Sequence, residues 1–461
     1  MKTIFDALLS GLSTLNRAVG DFVWSPVMLV AFLSVGGYFT LRLGFFQFVR
    51  IRLWFSETIV AALKSKSSRK VKDDRSISQF QAMTTALAAT MGTGNIVGVA
   101  TAITLGGPGA IFWMWVSALL GMMTIFAENV LGIHYRYRDA NGEWVGGAMI
   151  YIERGLKSKG LAVAFAVFCL VGSLGVGNMT QANSISTAMD ASFGVPPYIT
   201  GIVIALLAIL IILGGLQRIA VITEKLIPFI SILYLAAVFV VIASHAEQIF
   251  PALKQIVGSA FTLSSAGSGV LGYGVARAVR YGIARGVFSN EAGLGTSVAV
   301  HASAEVPHPV TQGLWGIFEV FADTIVMCTL TALAILASGV WSPDCGLEGG
   351  VLCAAAFETV FGQWGGYFIS VSILLFAFAT IIGWSFYGER CAKYLGGEKL
   401  VPIYKIVFTI IIFIGSVSRL NFVWELSDTF NGLMAIPNLI AITALAGVVI
   451  RITKDYLNNH K

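Results

Sequence analysis

The chain has 461 residues, of which 56% are hydrophobic and only 12% charged, and its mean hydropathy is +0.81. Soluble domains carry about 25% charged residues, so the composition excludes an ordinary soluble enzyme and describes a polytopic membrane protein. The net charge of +6 comes from Lys and Arg gathered between apolar segments, which fits basic cytoplasmic loops rather than nucleic-acid binding.

Ile4, Phe5, Leu8, Leu9, Leu12 and Leu15 recur at helical spacing. They predict an amphipathic helix on the membrane surface, without a signal-peptide pattern. Residues 22–41 are the first predicted span. The next loop carries Arg42, Arg50, Arg52, Lys64, Lys66, Arg69, Lys70, Lys72 and Arg75; the positive-inside rule makes it cytoplasmic and puts the N-terminus outside. Residues 79–105 form the second span, interrupted by AATMGTGNIVG at 88–98. Gly92 and Gly94 let the backbone leave the helix and approach a ligand. In hydrocarbon an unsatisfied backbone group costs several kcal/mol, so such a break survives only where it lines a cavity. The first half-helix would end in free carbonyls, which suit a cation. The second would begin with free N–H groups, which suit a carboxylate. Close packing of two helices at Gly94 and Gly98 is the other reading of these residues.

The GGPG turn at 106–109 closes this span, and a third covers 110–133. The basic loop 134–159 is again cytoplasmic. The fourth span, 161–188, holds Gly172, Gly175, Gly177, Asn178, Gln181, Asn183 and Ser184, a polarity that places it inside the bundle. The fifth is 198–213; Gln217, Arg218, Glu224 and Lys225 mark an inner turn before the sixth, 226–243. An irregular stretch, 244–285, leads into a second interrupted helix: outer half 274–288, break SNEAGLG at 289–295, inner half 296–304. Arg277, Arg280 and Arg285 then lie on the outer side, in a wet vestibule, which strains the positive-inside rule. Spans at 311–339, 366–388, 402–417 and 423–450 bring the total to eleven, with a basic cytoplasmic tail.

Each interrupted helix opens a block of five spans, and an odd block length inverts the second block. The domains are therefore 1–78 (surface helix, extra span and basic loop), 79–243 (first repeat) and 244–461 (outer stretch, second repeat and tail). Interrupted helices at matching positions of inverted halves predict a secondary transporter with a midplane site. No GxxxxGK[ST] motif occurs, so coupling falls to an ion gradient. Cys169, Cys328, Cys345, Cys353 and Cys391 form no CxxC pair, and no His lies at metal-ligand spacing. Cys345 and Cys353 share a loop and would pair only in an oxidising space. No Ser/His/Asp or Cys/His constellation supports an enzyme.

MGTGNIVGVA at 91–100, GNMTQAN at 177–183, GVFSNEAGLGT at 286–296, the GGPG turn and GWSFYGE at 383–389 together resemble the alanine or glycine:cation symporter family over nearly the whole chain. The resemblance implies an all-α protein of eleven transmembrane helices, ten in the leucine-transporter 5+5 inverted repeat after one extra helix. It implies sodium-coupled import of small neutral amino acids, alanine or glycine, with no organic cofactor. It implies that the N–H groups of Thr93 and Gly94 hold the substrate carboxylate, with Asn95 supporting the turn. Gln181 lines the pocket, followed one turn later by Ile185, where the family often has an aromatic residue. Ser289, Asn290 and Gly293 offer carbonyls to the ammonium group, and Trp384 walls the pocket. Thr380 resembles the family's sodium-ligating hydroxyl, with the carbonyls of Ala88 and Met91 as partners; oxygen ligands suit a hard cation.

Plainer readings stand beside these: a helix–helix hydrogen bond for Gln181, a bond to its own helix for Thr380, and packing for Trp384. Glu291 is expected to cap the inner half-helix, pair with Arg285, or carry protons in a proton-coupled symporter. Glu128, Glu319 and Asp323 are read as structural. Sodium-coupled transport of glutamine or serine, and a passive channel, are the remaining alternatives. The partners expected are amino acid, sodium and lipid, around a monomer in a bacterial or archaeal inner membrane with the C-terminus cytoplasmic.

Overall fold

The computed structural model describes residues 14–64, 73, 75–261, 271–418 and 420–459. The apolar repeat at 4–12, the basic residues Lys66, Arg69, Lys70 and Lys72, and the start of the second repeat's Gly/Ser-rich approach at 262–270 lie outside the described residues. Helix α1 (Pro26–Arg42) begins on a proline whose fixed φ suits the first turn. Helical turns precede it from Thr14, so the first apolar helix starts earlier than predicted.

Helix α2 (Gln79–Thr90) is set by a capping box. The Ser78 hydroxyl accepts the Gln81 N–H at 3.1 Å, and Gln81 Oε1 accepts the Ser78 N–H at 3.0 Å. The helix stops at Met91 (φ −75°, ψ 76°) and Gly92 (φ −125°, ψ −139°), both outside helical geometry. A 3-10 turn, Thr93–Asn95, leads into α3 (Val97–Gly106). After the GGPG turn, with Gly107 at φ 72°, α4 (Gly109–Tyr135) runs back. A small antiparallel hairpin follows, β1 (Tyr137–Arg138) and β2 (Trp144–Val145), with Tyr137 opposite Val145.

Helices α5 (Lys159–Leu174) and α6 (Thr180–Phe193) are joined through one π-helical turn, Gly175–Met179. Then come α7 (Pro197–Ile212) and α8 (Gly215–Ser244). The polar residues 217–225, expected in a turn, belong to α8 because α2 gives them partners. Gln81 Nε2 donates to Glu224 at 3.0 Å, and the hydroxyls of Thr85 and Thr223 are 2.9 Å apart.

The stretch expected to be irregular contains α9 (Ile249–Ser259), and the outer half of the second interrupted helix is the longer α10 (Leu271–Asn290). Its inner half is a single turn, α11 (Val298–His301). Between them Glu291 (φ 57°), Gly293 (φ 93°) and Gly295 (φ 73°) are left-handed. Helices α12 (Pro309–Val320) and α13 (Thr329–Ala337) flank a longer π-helical segment, Phe321–Cys328. The chain ends in α14 (Gly349–Phe361), α15 (Gln363–Gly396), α16 (Leu400–Val417), α17 (Leu420–Ala444) and α18 (Ala446–Asn459). The last two meet at a 58° bend, so the predicted span 423–450 is broken near its end.

Among the described residues, six continuous helical stretches are long and apolar enough to cross a membrane; the bent pair makes a seventh. The predicted second span falls short of that length because its break divides it, and the outer half of the seventh, though 20 residues long, carries Arg277, Arg280 and Arg285 and is too polar. Helix α4 is the central strut: α10 and α12 pack along it and α1 crosses it. Leu206 and Leu210 of α7, Phe229 and Ile232 of α8, and Ile406 and Ile410 of α16 are exposed, an apolar belt of the kind that lipid covers. Cys345 and Cys353 are free thiols.

Candidate functional site

The first break is pressed against two other helices. A Cβ on Gly92 would lie 2.3 Å from Thr380 Oγ1 and 3.0 Å from Gln181 Oε1, so only glycine fits there. The Thr93 N–H, at the start of the second half-helix, donates to Gln181 Oε1 at 3.2 Å. Gln181 is held in turn through Nε2, which donates to the Val176 carbonyl at 3.0 Å inside the π-helical turn. The Thr380 hydroxyl lies 2.8 Å from the Ala88 carbonyl and 3.2 Å from that of Phe376, four residues back on its own helix. The bond to its own helix is the plainer of the two expected readings; the contact with Ala88 adds that the same hydroxyl reaches the end of α2.

The second break meets the first directly. A Cβ on Gly94 would lie 3.1 Å from Ser289 Cα. One buried carboxylate ties the two breaks together. Asp323, in the long π-helical segment, accepts Asn95 Nδ2 at 2.7 Å on Oδ1. On Oδ2 it accepts the hydroxyls of Ser289 at 2.8 Å and Thr324 at 2.7 Å. Asn290 Nδ2 donates to Thr324 Oγ1 at 3.0 Å, while its Oδ1 accepts the Ala292 N–H at 3.0 Å and closes the turn. Asp323 was set aside as structural from the sequence, yet it contacts two predicted site residues. Two signals mark it: an acid within a membrane segment and, visible only in three dimensions, a π-helical environment of the sort that recurs at functional sites.

Eight of the predicted residues therefore converge: Ala88, Thr93, Gly94, Asn95, Gln181, Ser289, Asn290 and Thr380. Met91 ends α2 beside them, its sulfur accepting the Ser231 hydroxyl at 3.5 Å. Trp384 lies over the π-helical turn; a Cβ on Gly177 would overlap its Cβ at 2.2 Å. Ile185 is buried in an apolar cluster with Ala182, Ile381 and Ile412. Gly293 faces away from the crossing. Its open side meets the Phe32 ring of α1, and its carbonyl accepts Asn438 Nδ2 at 2.9 Å. Glu291 does not pair with Arg285: its Oε2 accepts the Thr296 hydroxyl at 2.5 Å. Arg285 pairs with Asp428 of α17 and lies against the rings of Phe288 and Trp424.

A cavity of about 740 Å³ begins beside Val97 and is lined by Thr101, Arg280, Arg285, Glu348 and Asp428 among others. The opposite end is closed by the hairpin. Arg136 donates to the carbonyls of Ala302 at 2.8 Å and Ala304 at 2.5 Å, just beyond α11. The backbone of Ile77, ahead of α2, bridges to the same segment, with Glu305 N–H on the Ile77 carbonyl at 2.9 Å. Arg138 pairs with Asp73 at 2.6 Å, and Lys393 of α15 with Asp139 at 3.0 Å. The Arg75 N–H and the Arg138 guanidinium hold the Asp73 carboxyl below its ordinary value. No group of three His, Cys, Asp or Glu side chains suited to a metal occurs among the described residues. The oxygens at Ala88 and Thr380 form the kind of donor set that a hard monovalent cation takes.

Residues 10–461 match the sequence profile of the sodium:alanine symporter family. The chain is similar to the sodium/alanine symporter AgcS of Methanococcus maripaludis, at 45% identity over 452 residues, 96% of this chain and 97% of that one. It is also similar to the probable sodium/glutamine symporter GlnT of Bacillus subtilis, at 39% identity over 442 residues, 96% and 90% of the two chains. Among solved structures, that of MhsT in complex with L-phenylalanine aligns with a TM-score of 0.59 over 81% of this chain and 90% of that one, at 14% identity. That likeness establishes the leucine-transporter fold. The chain is a multi-pass membrane transporter, not an enzyme, and it belongs to the sodium:alanine symporter family.

Proposed function

We propose that this transporter is a sodium-coupled symporter for a small neutral amino acid, alanine or glycine, working by alternating access around the crossing of its two broken helices. The observation that carries the reading is the contact of those breaks with Thr380 and Gln181. The Thr93 N–H, in the turn ahead of α3, points at an oxygen, Gln181 Oε1, at 3.2 Å, the position a substrate carboxylate takes when Gln181 gives way. The Gly94 N–H adds to it, and Asn95 fixes the turn through Asp323. The carbonyls of Ser289 and Asn290 receive the ammonium group; that of Gly293, occupied by Asn438, is left out. Sodium takes the carbonyls of Ala88 and Met91 and the Thr380 hydroxyl. Trp384 and Ile185 set the bulk admitted. The cavity is the outer vestibule and the hairpin side is cytoplasmic, in a bacterial or archaeal plasma membrane, with the N-terminus outside and the chain monomeric.

The test is uptake of labelled alanine, glycine, serine and glutamine into proteoliposomes under an inward sodium gradient, repeated with potassium. Accumulation only with sodium is expected for alanine or glycine. Accumulation of glutamine alone moves the substrate assignment, and flow without accumulation indicates a channel. Thr380→Ala should raise the sodium concentration for half-maximal uptake about tenfold, from loss of an interaction of about 1–1.5 kcal/mol, and Thr380→Ser should restore it. An unchanged sodium dependence places the cation elsewhere.

A further inference from the structure

A second buried polar cluster stands apart from the crossing, where α11 meets α12. Glu319 and His301 are both fully buried, with Glu319 Oε2 3.0 Å from His301 Nε2. The other ring nitrogen, Nδ1, lies 2.6 Å from Gln312 Nε2. Glu319 Oε1 and Gln312 Oε1 have no hydrogen-bond partner. Among the described residues no second donor is bonded to Glu319; Asn129 Nδ2 of α4, which lies against Gly316 of α12, is also without a partner. Glu128 of α4 is bonded to Asn438, Glu291 to Thr296 and Asp323 to Asn95, Ser289 and Thr324. Arg136 is bonded to backbone carbonyls. Tyr387 of α15 keeps an unpartnered hydroxyl. Arg52 and Glu57 before α2 and His308 ahead of α12 sit at the less buried rim, with the buried Tyr456 of α18 against the His308 ring.

This arrangement has two hydrogen-bonding states that differ by one proton. With Gln312 donating to Nδ1, the imidazole carries its proton on Nε2 and donates to a Glu319 carboxylate. When a proton arrives at Nδ1, the Nε2 proton passes to Glu319 Oε2: one N–H bond forms, another breaks, and one O–H bond forms. Gln312 then rotates its amide to accept from Nδ1–H. That rotation costs no other bond, because Oε1 has no partner to lose. The pair passes from one negative charge to none.

We propose that His301, Glu319 and Gln312 form a proton-binding site whose occupancy changes with the position of α11. His301 is the last residue of the inner half-helix and is the donor bonded to Glu319 among the described residues, while Glu319 belongs to α12. When α11 moves away to open the hairpin side, Glu319 keeps its buried position and loses that donor, so opening takes up a proton from the solution on that side. The proposal rests on the alternating-access reading above.

Two measurements test it. Infrared difference spectra of the purified protein across pH steps need no transport. A protonated-carboxyl stretch that appears on acidification, is lost in Glu319→Gln and shifts in His301→Gln is expected; no Glu319-dependent band overturns the site. In vesicles of known sidedness, uptake by the wild type should slow as pH rises on the hairpin side alone. Glu319→Gln, permanently neutral, should transport with that dependence removed. Equal pH dependence in the variant and the wild type overturns the coupling, and His301→Gln supplies the same comparison if Glu319→Gln fails to insert. Absence of uptake of any amino acid by the wild type counts against the symport reading, while the spectra still decide the proton site.

Discussion

Gly92 shows how one missing side chain positions a site. Its α-carbon stands where a methyl group would overlap Thr380 Oγ1 at 2.3 Å, and overpacking of a tight interior costs about 1–3 kcal/mol. Gly92→Ala should therefore abolish uptake while the protein still reaches the membrane. Gly37→Ala, on α1 with nothing within 4 Å of a Cβ, should leave uptake unchanged. Uptake measured with surface expression checks both, and active Gly92→Ala protein argues that the break is not held against Thr380. Thr93 was expected at the break from the glycine-rich stretch itself, Gln181 and Thr380 only from the resemblance, and the structure brings all three together there. Asp323 was not legible as a site residue, because its partners Asn95 and Ser289 lie on chain segments far away in sequence.

Among elements, the hairpin is the part with a defined pH response. Asp73 is held below its ordinary value by the Arg75 N–H and Arg138. Burial pushes Asp139 up, but Lys393 and the Glu143 N–H pull it down further. Burial lowers Lys393, but Glu398 and Asp139 raise it more. A carboxylate with a depressed folded value stabilises above its unfolded value and ceases to as pH falls through the folded one. A raised lysine stabilises below its unfolded value and ceases to as pH rises through the folded one. The hairpin contacts should thus hold from about pH 5 to about pH 9 and fail below about pH 4. Limited proteolysis within residues 139–143 should be flat across the first window and rise in acid; a rise between about pH 6 and 8 would show that other groups hold the hairpin. The flat window also separates this latch from the His301–Glu319 site. Elements were legible where they were long and apolar. The π-helical turns at 175–179 and 321–328 and the one-turn α11 were not, since each depends on what packs against it: Trp384 on Gly177 in the first case, Asp323 between two breaks in the second.

At the scale of the molecule, the cysteines give a direct probe of orientation. Four of the five are buried, and Cys345 alone is partly exposed, in the loop beside α14 that borders the vestibule. Backbone hydrogen bonds at Ser342 and Leu347 hold its thiol below the ordinary value, which raises the reactive thiolate fraction at neutral pH. A membrane-impermeant maleimide should label intact cells at Cys345, and Cys345→Ser should remove the label. Labelling only after the cytoplasmic face is exposed would invert the proposed topology.

The sequence by itself determined the class and the two interruptions. Apolar length, the basic loops and the glycines at 92, 94, 293 and 295 act over a few residues and need no fold to be read. Only the tertiary structure decided that Arg285 pairs with Asp428, that Gly293 turns toward Phe32, and that Asp323 joins the two breaks. It also decided that His301 meets Glu319. Each of these unites residues from different helices, and burial makes the choice of partner costly to leave unmade.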